Sequence, residues 1–276
     1  MCYKDVVSKY SFLKPIVSVV GEEVEVSAEA VEGYCSYVEY KHGWVKNNFA
    51  LHRNQITSKG AWLSKEKWSA IDVSGDILTS KTAFKSVKEF SERNKTLYKL
   101  FVSIYHSKGN CIPWCEGGNL GGGIYKGGGS SDFFERKLMV CKEIFEQKYK
   151  PSEAELDILK NKIECGKKIG RVKKKVCIYY WLKHEWLDKG RCWNDFIDAH
   201  YLRDMVDDEY NLLSFIDGEN VGKDLGNMEE AVIQKTLVRS IQLIIKRGYR
   251  IENGIVGEFE AKHLDVLSQI FNELEL

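Results

Sequence analysis

Between Gly117 and Gly129 eight of thirteen residues are glycine, in a chain of 276 residues that holds 23 in all. Glycine takes positive φ without strain and lets backbone approach a ligand closely. The run feeds into Ser130, Ser131 and Asp132, which read as the start of a helix. A helix start presents unpaired N–H groups and the positive end of the dipole, a combination that suits phosphate. Gly121, Gly122, Gly123, Lys126, Ser130 and Ser131 are therefore the candidate anion-binding residues, with Trp114 as an apolar wall on a stem fixed by Pro113. The pattern is neither of the familiar phosphate loops. A P-loop places Lys before Ser or Thr, whereas Lys126 precedes Gly127, and a dinucleotide loop follows a strand, whereas this one follows a helical pattern. Asp132 at the cap also competes with an anion for the same donors. The bland alternative is a surface loop joining two helices.

Other chemistry-bearing residues are weaker. Cys111 and Cys115 have zinc-like spacing, with His106 close by, but a second ligand pair is missing, so no metal is expected. His184 to Asp188, HEWLD, misses the zincin motif at its fifth position. Cys141, Cys165, Cys177 and Cys192 read as small core residues. From Lys160 to Lys175 the chain carries eight Lys or Arg against one Glu. Lys167, Lys168, Arg171, Lys173 and Lys174 are the candidate nucleic-acid contacts in that run. Its alternative is a solvated turn facing the acidic run from Asp195 to Glu209. No G-x-S-x-G elbow is present, and no Arg is followed at five to seven residues by His, the spacing of helical toxin ribonucleases. Nothing in the sequence implies a cofactor.

These residues need a frame. With 43% hydrophobic residues, 29% charged and a net charge of +1, the composition is that of a globular protein, and the charge by itself argues neither for nor against nucleic acid. No apolar run reaches the ~18 residues of a bilayer span. The N-terminus lacks a signal-peptide pattern, and scattered cysteines suit a reducing compartment, so a cytoplasmic protein is expected. From about Thr82, Ala83, Phe84, Val87, Phe90, Leu97, Phe101 and Ile104 make one apolar stripe that Lys108 and Gly109 end. After the glycine stretch, Asp132 and Glu135 form a capping-box pair for the next helix. Pro151 breaks that helix, and Ser152 with Glu155 opens another to about Ile163. Residues 174–190 and 192–208 read as two more helices, the first buried on most faces. Residues 210–227 read as irregular. A long helix follows, with Gly248 as its cap, and the chain closes on a helix. The expected fold is mainly α: one domain over 1–276, with a helical region 82–276. An N-terminal subregion 1–81 leaves room for a small β-sheet (α+β), with Trp44, Trp62 and Trp68 as anchors.

The N-x-x-P turn at Asn110 and Pro113, the glycine stretch with Asn119, and Asp132, Phe133, Phe134 and Leu138 form one group of motifs. Phe196 to Asp207, FIDAHYLRDMVD, and Arg247 to Ile251, RGYRI, form another. Together they resemble a group of uncharacterised bacterial, phage-associated proteins. The loop and helix are also similar to a segment beside the nuclease motif of some restriction-type HNH proteins, whose catalytic histidine motif is not visible here. The resemblance implies a bacterial or phage origin and supplies no mechanism. Two functions remain open. One is a binding or interaction protein that uses the glycine loop and basic run on a phosphate-bearing partner or another protein. The alternative is a phage-defence type enzyme acting on nucleotides or nucleic acid, with the loop as anion cradle. The second needs His106, His184 or His200 near the loop with a carboxylate behind it.

Overall fold

The computed structural model describes residues 3–14, 18–20, 23–25, 93–104, 107–110, 134–165, 173–214 and 230–276. Of this part 71% is helical, and the protein is mainly α. The helices among the described residues are α1 (Tyr3–Lys9), α2 (Lys95–Ile104), α3 (Phe134–Phe145), α4 (Glu153–Glu164), α5 (Lys174–Glu185), α6 (Trp193–Ala199), α7 (Glu230–Asn253) and α8 (Ala261–Leu274). Two three-residue strands, β1 (Ser18–Val20) and β2 (Glu23–Glu25), pair antiparallel. Such a ribbon is marginal by itself, so the fold rests on the helices.

Two helical groups share one core. α1 packs on α2 and α8, and α2 packs on α7. α3 packs on α5 and α6, with α4 against α5. Leu100, Phe101 and Ile104 of α2, Leu138 and Cys141 of α3, and Ile241 and Ile244 of α7 belong to one buried cluster. The α2 stripe is the one the sequence predicts, although the helix stops at Ile104, before Lys108. Residues 82–92 of that stripe and the Trp44, Trp62 and Trp68 anchors lie outside the described residues.

α5 explains its own sequence. Val176, Cys177, Ile178, Tyr179, Trp181 and Leu182 are all buried. A helix apolar on every side must sit inside a fold, and this one is flanked by α3 and α4. α4 opens as expected: Ser152 Oγ accepts from the Glu155 N–H at 3.3 Å, and Glu155 Oε2 accepts from the Ser152 N–H at 3.1 Å. That capping box satisfies two otherwise orphaned donors.

Several expectations are corrected. Gly248 is not the cap of α7. The helix continues through Tyr249, Arg250 and Ile251 to Asn253, and Gly254, at φ 64°, takes the left-handed turn that stops it. The 192–208 stretch is helical only to Ala199. Tyr201 turns the chain at φ 56°, a 3-10 turn spans Arg203–Met205, and Val206 bridges Leu212. Its acidic residues are used locally, which is why the pattern reads as helix and folds as a turn. Asp195 accepts from the Cys192 N–H at 2.7 Å, and Asp207 accepts from the Glu209 and Asn211 N–H groups at 3.0 and 2.7 Å. Cys141 and Cys177 are core residues, but Cys165 and Cys192 are exposed at the C-cap of α4 and the N-cap of α6.

Candidate functional site at the root of the glycine stretch

α2 ends on Ile104, and a tight turn follows, closed by Ser107 N–H to the Ile104 carbonyl and Asn110 N–H to the Ser107 carbonyl, both 3.0 Å. This turn is the stem from which residues 111–133 leave. Its Gly109 lies directly on the backbone of α7. A Cβ at Gly109 would overlap the Ile244 carbonyl and stand 2.9 Å from the Gly248 nitrogen. Glycine at 109 is what lets turn and helix approach so closely, whereas a Cβ at Gly248 would meet Phe12 and stand an ordinary 3.6 Å from the Gly109 Cα.

Arg247, one residue before Gly248, locks this contact. It is 3% exposed. Its Nη1 donates to the Gly109 carbonyl at 2.8 Å and the Lys108 carbonyl at 3.2 Å, and its Nε donates to the His200 carbonyl at 3.0 Å. One guanidinium thus joins α7 to the stem and to the C-terminus of α6. The planar fork of donors suits such a task, where an ammonium would not. Outside it, Lys108 Nζ pairs with Glu252, which also accepts from Ser11 Oγ at 2.5 Å.

His200 is fully buried, with its ring against Phe196, Trp186 and Trp181 at centroid distances of 4.4, 5.7 and 6.4 Å. Burial, reinforced by the charge of Arg247, holds its pKa well below the ordinary histidine value, so the ring is neutral at pH 7. Ser107 and Asn110 are also buried. At the far end of the stretch α3 begins at Phe134, two residues past Asp132. Its first turns bury Glu135 completely and Lys137 to 1% exposure, and each is engaged by a neighbour. Charges buried so deeply persist only when partnered. The described residues on either side of the stretch in sequence thus include buried polar and charged groups.

Gly121, Gly122, Gly123, Lys126, Ser130, Ser131 and Trp114 lie outside the described residues, as do Asp132, His106, Cys111, Cys115, Lys167, Lys168 and Arg171. Lys174 opens α5. Lys173 stands at the N-cap of α5, exposed, with its ammonium 2.8 Å from Glu155, a contact that lowers the Glu155 pKa. Lys175 pairs with Glu143 of α3 at 2.5 Å and lies 4.3 Å from the centre of the Tyr149 ring. The described part of the basic run thus meets acids of α3 and α4. Within the acidic run at 195–209, Asp204 binds Arg250 at 2.6 Å. His184 does reach Asp188, at 3.2 Å, but Lys183 takes both oxygens of that carboxylate at 2.7 and 2.9 Å, so the pair is a surface ion cluster. Among the described residues no group of three or more His, Cys, Asp or Glu is placed to hold a metal, and none of the helices is long and apolar enough to cross a membrane.

Sequence reasoning missed Arg247 as the anchor of the stem. A signal was present. Leu237, Ile241 and Ile244 run along one face of α7, and the next positions on that stripe are Arg247 and Gly248. A charge and a glycine where apolar residues belong mark a polar, close contact. No protein-family model, no curated protein and no solved structure matches this chain.

Proposed function

We propose that the protein is a bacterial cytoplasmic binding protein whose glycine-rich stretch holds a phosphate-bearing partner, a nucleotide or nucleic acid. The observation that carries this reading is the Arg247 clamp. The buried guanidinium fixes the point at which the chain enters the stretch, and functional segments are commonly loops positioned by a rigid scaffold. A fixed stem on one side, and a helix with buried Glu135 and Lys137 on the other, would let the glycine segment between them hold a ligand in a defined place. Within that reading Gly121 to Gly123 give the backbone its freedom, Lys126 supplies charge, and Ser130 and Ser131 supply donors. Lys167, Lys168 and Arg171 extend the contact along a polynucleotide, whereas Lys173 is already engaged by Glu155. The resemblance to phage-associated bacterial proteins supports the same setting.

The enzymatic alternative is less well supported. His200 sits beside the stem, but its ring is enclosed by Trp181, Trp186 and Phe196 and is 0% exposed. A base needs hydrogen-bond reach to substrate.

The experiment is a paired one. Wild type, Lys126→Ala and a Gly121, Gly122, Gly123→Ala triple variant are melted and titrated with phosphate, nucleotides and short RNA or DNA. The expected result is an anion that raises the wild-type melting temperature, a triple variant that melts normally but binds poorly, and Lys126→Ala weaker by about 1.5–3 kcal/mol. No ligand response in the wild type, together with a triple variant that melts many degrees lower, refutes the reading.

A further inference from the structure

We draw no further inference here: the strongest candidate, the buried junction of Ser107, His200 and Arg247 at the root of the 111–133 stretch, belongs to the site already described.

Discussion

Replacing Gly109 by alanine tests the stem directly. The added methyl meets the Ile244 carbonyl and, at 2.9 and 3.1 Å, the nitrogen and Cα of Gly248. All three are backbone atoms of α7, so no side-chain rotation relieves the overlap. Overpacking of this kind costs about 1–3 kcal/mol. The turn can escape only by moving off the helix, and a shift of about 1 Å carries the 2.8 and 3.2 Å Arg247 bonds past the useful hydrogen-bond range. Losing a bond to a charged donor costs about 1.5–3 kcal/mol. The two losses are coupled, so a total of about 3 kcal/mol is expected. At about 2–4 °C per kcal/mol for a chain of this size, the melting temperature falls by about 6–12 °C. Gly257→Ala is the control, because a Cβ there meets nothing within 4 Å. The assay is thermal and urea unfolding followed by circular dichroism at 222 nm. A Gly109 variant that melts within about 2 °C of the Gly257 variant refutes the close packing of turn on helix.

Four further outcomes are expected. Gly248→Ala gains up to about 1 kcal/mol of helix propensity but meets the Phe12 ring at 2.9 Å and its carbonyl at 3.3 Å; because neither contact is as short as that of Gly109 with the Ile244 carbonyl, urea titration should place this variant above Gly109→Ala in stability. Arg247→Lys should destabilise by about 3 kcal/mol and behave like Arg247→Met, since one ammonium cannot serve carbonyls on two segments; rescue by lysine would show that charge alone matters. His200 has a folded pKa below its unfolded value of about 6.5, so its contribution is complete above that pH and is lost as pH falls, with a slope approaching 1.4 kcal/mol per unit; urea midpoints at pH 7.5 and 5.5 should differ more for wild type than for His200→Gln. Asp204→Asn leaves Arg250, 1% exposed, without its carboxylate and should cost about 3 kcal/mol by the same assay, less whatever the Gly257 carbonyl and the Phe259 ring retain.

The helices were legible where one face meets the core. Leu97, Phe101 and Ile104 announce α2, and Ser152 with Glu155 announces α4, because stripes and caps are local signals. The end of α7 is hidden in the sequence, because Gly248 has the commonest signature of a helix stop while Gly254 is the residue that makes one. A glycine that stops a helix and one that admits a close neighbour look alike in sequence, and only Phe12, distant along the chain, distinguishes them. The turn after α6 is hidden for a similar reason. Asp195, Asp198, Asp204 and Asp207 look like a polar helix face until each is seen to serve a different acceptor role: cap, tyrosine partner, arginine partner and Asx turn. The glycine stretch was visible as an anomaly, but its anchor was not, since Arg247 acts through carbonyls that carry no side-chain signature.

The Arg247 contacts also fix an order of events during synthesis. They link residues 138 and 139 positions apart on one side and 47 on the other. At about 5–20 residues per second, a ribosome needs about 7–28 s after making Gly109 to deliver Arg247. Through that interval the 107–110 turn has no guanidinium to hold it, and the apolar stripe of α2 has no α7 to cover it. Helix formation and local collapse are complete within microseconds, so the nascent chain spends nearly all of that time as a partly assembled body waiting for its spine. Chaperone capture of such a chain should therefore end when the segment around Arg247 clears the exit tunnel.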